Sequence, residues 1–207
     1  MTHTIPRYEF RLFGIAEIDS IIDALKKHGK EGEVRNISEI YLMTAGNEEH
    51  NIKIRDKHLD IKSLVRQENG LEQWNPQEVG VFPLEKDKIK NDIFSALGVE
   101  CPALDRDVYT LKQFMQELIL VDPDIIVALT EKERHAFDFE NCICEYANVI
   151  INGALQRTLA IESENPDSVW RVIELLKIGK EKENVNYPKA LKRVLGLEID
   201  YDINRFF

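Results

Sequence analysis

The sequence predicts an α+β fold: a mainly antiparallel sheet with helices packed against its apolar outer side. Two observations predict it. Several segments alternate apolar and charged side chains with period two and are joined by short links of hairpin type, which is the pattern of antiparallel strands. Other segments place apolar residues at i, i+3, i+4 and i+7, the spacing of helices that bury one face. The chain has 207 residues, 43% of them hydrophobic and 31% charged, enough apolar matter for a buried core and too much for a disordered chain.

The first strand spans 6–13, with Tyr8, Phe10 and Leu12 on one face and Arg7, Glu9 and Arg11 on the other; Gly14 ends it. Ile18, Ile21, Ile22 and Leu25 mark a helix that closes near Gly29. Strands follow over 38–44, 51–56 and 59–65, the last two joined by the Asp56-Lys57-His58 link. Leu71 to Trp74 predicts a short edge strand stopped by Pro76. Ile89, Ile93, Ala96 and Leu97 mark one middle helix, and Leu111, Phe114, Met115 and Leu118 a second. Strands return over 124–139, 142–151 and 155–164, with Asn152-Gly153 as the turn between the last two. Asn165-Pro166-Asp167 is a cap, a first-turn proline and an acid suited to the helix dipole, so a helix opens there. A further helix is expected around Leu191, Val194 and Leu195, with Phe206-Phe207 free to dock on the barrel or on a second subunit.

Charge and cysteine usage narrow the function. The net charge is −10, from 27 Lys+Arg against 37 Asp+Glu, which argues against long nucleic acids as partners. Cys101, Cys142 and Cys144 form neither a disulfide framework nor a zinc knuckle, and Cys142 and Cys144 read as small core residues. The histidines have no metal-ligand spacing, and neither a phosphate loop nor a Gly-x-Ser-x-Gly elbow is present. No signal peptide and no membrane span is expected, so a reduced, cytoplasmic protein is the reading.

The polar strand faces are unusual in carrying Arg7/Glu9/Arg11, Lys53/Arg55, Asp60/Lys62, Lys132/Arg134, Glu145 and Glu162 rather than Ser and Thr. An ordinary solvated sheet face accounts for any one of these strands. If helices cover the apolar face, the charges line a wet interior instead, as a barrel of about eight strands can enclose. Cations inside such a lumen bind phosphate oxygens, and carboxylates bind Mg²⁺ or Mn²⁺ alongside them.

The order of these segments resembles the CYTH, or triphosphate tunnel metalloenzyme, superfamily over roughly residues 5–178. Arg7-Tyr8-Glu9-Phe10-Arg11 stands in the place of its Glu-x-Glu-x-Lys strand. Ile52-Lys53-Ile54-Arg55 and Leu59-Asp60-Ile61-Lys62 are similar to its basic hairpin, and Glu131-Lys132-Glu133-Arg134 to its later Lys-x-Arg strand. Cys144-Glu145-Tyr146-Ala147 stands at an acidic position, and Leu159-Ala160-Ile161-Glu162 matches the late Glu-x-Glu strand in one of its two acids. Arg7 thus replaces an expected glutamate, Arg11 a lysine and Ala160 an acid.

The resemblance implies an eight-stranded antiparallel tunnel, closed or nearly closed, with helices outside. The chain is expected to form a single such domain over 1–207, with segment 181–207 a helical tail packed on it or on a partner subunit. The resemblance implies Arg7, Arg11, Lys53, Arg55, Lys62, Lys132 and Arg134 as ligands of a triphosphate or other phosphorylated small molecule. It implies Glu9, Glu145 and Glu162 as holders of one Mg²⁺ or Mn²⁺, with hydrolysis of the terminal phosphoryl group as the activity and Arg7 as a substitute for lost metal charge. The alternative is a non-catalytic polyphosphate- or nucleotide-binding module with a degenerate metal site. A homodimer is compatible with either.

Overall fold

A computed structural model describes residues 5–14 and 18–197. In chain order its strands are β1 (Arg7–Phe13), β2 (Lys30–Met43), β3 (His50–Arg55), β4 (His58–Glu68), β5 (Leu71–Val81), the short β6 (Leu84–Glu85) and β7 (Val108–Tyr109), then β8 (Ile126–Phe139), β9 (Cys142–Ile151) and β10 (Ala154–Ser163). Eight of them close a barrel in the order β1-β10-β9-β8-β2-β3-β4-β5, every neighbouring pair antiparallel, and β5 returns to β1. β6 and β7 form a separate two-stranded ribbon. Closure pairs the strand edges all round except where β1 and β5 part beyond Glu9 and Trp74. The expected α+β tunnel is therefore the fold observed.

The helices are α1 (Ile18–His28), α2 (86–97), α3 (111–119), α4 (Pro166–Leu175) and α5 (Tyr187–Leu195); Ile89–Phe94 of α2 and Phe114–Ile119 of α3 wind as π-helix. Two apolar layers join them to the barrel's outside. Tyr8, Phe10 and Leu12 of β1 pack with Ile21 and Leu25 of α1 and Val169 and Val172 of α4. Ile52 and Ile54 of β3 with Leu59 and Ile61 of β4 pack against Ile93 and Phe94 of α2 and Phe114 of α3. Because the period along a strand is two, burying one face under helices turns the alternate, charged residues inward. Cys142 and Cys144 belong to the first layer, and burial pushes their thiols up to about 11 and about 12.

Two elements differ from expectation. β2 begins at Lys30, eight residues before Ser38, because Lys30–Arg35 pairs with β8 while staying exposed on both faces, so no apolar alternation announces it. β5 continues through Pro76 to Val81 instead of stopping at Trp74. It can do so because β1 pairs with it only from Trp74 to Glu72, so Pro76 lies where one side of β5 has no partner strand. The Asp56-Lys57 and Asn152-Gly153 turns do form as read, with φ of 48° and 66°, and 44° and 91°. Phe206-Phe207 lies outside the described residues.

A third apolar cluster fills one end of the barrel. Tyr41 and Met43 share the strand phase of Glu39, Ala128 that of Lys132, and Ala147, Val149 and Ile151 that of Glu145, so all of them point inward. They pack with Tyr187 and Leu191 of α5. α5 reaches this place through a split in the barrel wall. β1 pairs with β5 only through Glu9, so the backbone of Arg11 needs other partners on that side. Arg11 N donates to Asn184 Oδ1 at 2.8 Å, and Val185 N donates to Arg11 O at 2.7 Å. Asn186 then caps α5, its Oδ1 accepting from Lys189 N at 2.9 Å.

Candidate functional site

Above that apolar floor lies a chamber of about 230 Å³. β1 contributes Arg7, Glu9 and Arg11; β2 contributes Ile37, Glu39 and Tyr41; β3 contributes Asn51, Lys53 and Arg55; β4 contributes Lys62. β8 adds Lys132 and Arg134, β9 adds Ile143 and Glu145, and β10 adds Glu162. All ten side chains selected from the sequence thus line one chamber. Seven basic residues face four acidic ones in the lining, a net charge of +3 within a protein of −10. Depth varies among them. The side chains of Arg55, Arg7, Lys62 and Arg134 are 41%, 35%, 29% and 28% exposed, whereas those of Arg11, Lys132 and Glu39 are 4%, 7% and 2% exposed. The first group marks the mouth and the second the depth.

Two charge clusters divide the interior. In the first, each nitrogen of the Arg11 guanidinium faces a different carboxylate: Nε meets Glu9 at 2.5 Å, Nη1 meets Glu145 at 3.9 Å and Nη2 meets Glu162 at 3.8 Å. Nη1 also donates to Thr158 Oγ1 at 3.2 Å, and the guanidinium lies 4.7 Å over the ring of Tyr187. Each of these carboxylates has a second cation nearer the mouth: Lys62 at 3.8 Å from Glu9, Arg134 bonded to Glu145, and Arg7 at 3.7 Å from Glu162. Burial alone would raise the Glu9 carboxyl, but Arg11 and Lys62 outweigh it and lower it to about 2. Lys62 is held above the ordinary lysine range: burial opposes this, and Glu162 and Glu9 prevail.

In the second cluster the signs are reversed. Glu39 accepts hydrogen bonds from Lys132, from Lys53 at 3.1 Å and from the Tyr41 hydroxyl at 2.9 Å, and Arg55 lies 3.8 Å away. Lys132 also donates to Tyr41 Oη at 2.7 Å and sits 3.9 Å from the Tyr187 ring centre. Burial pulls both Lys53 and Lys132 below the ordinary lysine range despite the attraction of Glu39. Two further polar atoms are buried without a hydrogen-bond partner among the described residues, Asn51 Oδ1 and the Tyr187 hydroxyl, and both residues line the chamber.

The carboxylates implied as metal holders do not fit a divalent ion as they stand. Mg²⁺ draws its oxygen ligands to about 2.0–2.1 Å, whereas Glu9, Glu145 and Glu162 are spread around the edge of a planar guanidinium. Among the described residues no group of three His, Cys, Asp or Glu side chains is gathered to hold a metal.

Glu39, Tyr41, Asn51, Asn186 and Tyr187 belong to the site and were not selected from the sequence. Glu39 and Tyr41 had a usable signal, since they alternate with Ile40 and Leu42 in the same period-two pattern as β1. Tyr187 had none: it lies in a tail helix and comes to the lumen only through the split beside β1.

Neither a protein-family model nor a curated protein matches the chain. Solved structures do. A Hippeastrum protein described as an adenylyl cyclase with a dominant triphosphatase activity matches 94% of this chain and 98% of its own at 14% identity, with a TM-score of 0.51. A conserved hypothetical protein of Pyrococcus furiosus matches at 14% identity over 87% of this chain and 98% of its own, TM-score 0.48. A Bacillus halodurans protein described as an adenylate cyclase matches at 11% identity over 99% and 100% of the two chains, TM-score 0.44. At 14% identity the Hippeastrum likeness shows the fold alone: the chain shares the closed antiparallel tunnel of the CYTH-type proteins.

Proposed function

We propose that the chamber captures the phosphate end of a phosphorylated small molecule, a triphosphate being the best fit. The observation that carries this reading is the net +3 lining: seven basic side chains from β1, β3, β4 and β8 converge in one cavity of a protein that is otherwise strongly acidic. Buried, under-compensated cations favour an anion that brings several oxygens at once. A cavity of about 230 Å³ falls below the roughly 300–1,000 Å³ typical of sites that enclose a drug-sized ligand. It accommodates phosphate groups and leaves any organic portion at the mouth, beside Arg7, Arg55 and Arg134. The Tyr187 hydroxyl offers a further donor at the floor. No helix among the described residues is long and apolar enough to cross a membrane.

Capture without turnover is the favoured form of the reading, because each of the four carboxylates that line the chamber is already engaged by an internal cation. Hydrolysis is the second form, supported by the fold shared with the Hippeastrum protein and its described triphosphatase activity. Thermal unfolding with sodium tripolyphosphate, compared with sodium chloride at equal ionic strength, tests the common part. A rise in Tm specific to tripolyphosphate and weaker at high salt is expected. Equal Tm in the two salts contradicts it. Steady release of inorganic phosphate in the same samples selects the hydrolytic form.

A further inference from the structure

We propose that Arg11 is a built-in central cation: it gathers Glu9, Glu145 and Glu162 so that these carboxylates position the cations at the mouth, and the chamber works without a divalent metal. The proposal rests on the phosphate-capture reading only for what the chamber is for; the role of Arg11 has its own test.

Four observations carry it. First, the guanidinium is nearly fully buried, and its three nitrogens address three carboxylates, one each. Guanidinium is planar, always charged and rich in donors, so one residue can pair with acids arriving from three strands. Second, each carboxylate passes the contact outward to a separate cation: Glu9 to Lys62, Glu145 to Arg134 and Glu162 to Arg7. The pattern is a hub with three arms, and each arm ends in a partly exposed basic group. Third, two of the three departures from the resembled pattern, Arg11 on β1 and Ala160 on β10, form one coupled change. Arg11 and Ala160 stand directly opposite in register, and Glu145 stands opposite Ala160 on the next strand. A methyl group at position 160 leaves room for the longer guanidinium to reach across toward Glu145, and removes an acid that the added bulk would meet. Fourth, three carboxylates converging in a buried space repel one another unless a cation lies among them, and Arg11 is the group found there. Arg7, the substitute that the sequence suggested, sits instead at the mouth, with its side chain 35% exposed and, among the described residues, ion-paired with Glu162 alone.

Titration of the whole protein with Mn²⁺ in the absence of phosphate, followed by the spectrum of the free ion, tests this role. The wild type is expected to take up no Mn²⁺ saturably, and a variant combining Arg11→Lys with Ala160→Glu is expected to gain a saturable site that Glu9→Gln removes. Stoichiometric Mn²⁺ uptake by the wild type, lost in Glu9→Gln, overturns the proposal, as does a folded double variant that gains nothing. Should the double variant not fold, the wild-type titration decides alone. In parallel, protein treated with EDTA is titrated with tripolyphosphate. Binding that persists supports a metal-free chamber. A wild type that takes neither Mn²⁺ nor tripolyphosphate removes the phosphate reading and leaves the role of Arg11 standing.

Discussion

The two clusters in the barrel are charge inverses. Around Arg11 one cation holds three carboxylates; around Glu39 one carboxylate holds Lys53, Lys132 and Arg55. The difference shows in how well each lysine is compensated. Lys62, beside the acid-rich cluster, is raised above its ordinary range, whereas Lys53 and Lys132, sharing a single carboxylate, are pulled below it by burial. Both walls carry an excess of positive charge, four cations to three carboxylates around Arg11 and three to one around Glu39, so the Glu39 wall is the shorter of negative charge. On the proposed reading, an incoming phosphate gains most against β2, β3 and β8, while the Arg11 wall positions the cations of the mouth.

The sharpest way to break this comparison is to remove Glu39. Glu39→Gln leaves Lys53 and Lys132 facing one another in a buried space, and a loss of about 3–5 kcal/mol in unfolding free energy is expected. Denaturant unfolding checks it, and added tripolyphosphate is expected to restore more stability to this variant than to the wild type. A loss below about 1 kcal/mol would mean that the second cluster is solvated and ordinary.

On the Arg11 side the corresponding effect is acid sensitivity. The Glu9 carboxyl is lowered from 4.5 to about 2 in the folded protein. Its contribution, about 3 kcal/mol by linkage, is present above the unfolded value and is lost as pH falls from there through the folded one. Unfolding free energy measured between neutral pH and pH 3 is expected to decline less steeply in Glu9→Gln than in the wild type. Equal slopes would contradict the coupling of Glu9 to Arg11.

Anion affinity separates the walls next. Lys53→Ala is expected to weaken tripolyphosphate binding about tenfold, about 1.4 kcal/mol, and Lys62→Ala distinctly less, because Lys62 already has Glu9 and Glu162 as counter-charges. A reversed order places the ligand on the Arg11 wall. Alkaline pH acts on the same groups. Lys53 and Lys132 release their protons below the ordinary 10.5, so affinity is expected to begin falling before that pH, with net proton uptake on binding. Calorimetry in two buffers of different ionisation enthalpy reads it directly. The smallest effect belongs to the floor: Tyr187→Phe removes a donor that has no partner among the described residues and is expected to cost about 0.5–1.5 kcal/mol of binding, with no loss of Tm.

Much of this site was legible in the sequence because a strand's period-two phase is a local property. Tyr8, Phe10 and Leu12 announce a buried outer face, and from that alone Arg7, Glu9 and Arg11 must point the other way. The same logic carries Lys53, Arg55, Lys62, Lys132 and Arg134. What the phase could not supply was distance across the barrel. That Arg11 stands opposite Ala160, and that Glu39 gathers basic groups from two other strands, depends on register and closure. The first turns of β2 were hidden because exposed residues carry no pattern, and Tyr187 because a helix arriving through a wall split leaves no trace in its own sequence. The identities of the interior groups were readable; their partnerships were not.

The central claim is that this chamber holds phosphate by its own cations. Calorimetric titration of the EDTA-treated protein with sodium tripolyphosphate tests it most directly, with Lys53→Ala alongside. One saturable site is expected in the wild type, sensitive to salt and about tenfold weaker in the variant. Absence of saturable binding in the wild type, or equal affinity in the two proteins, would contradict it.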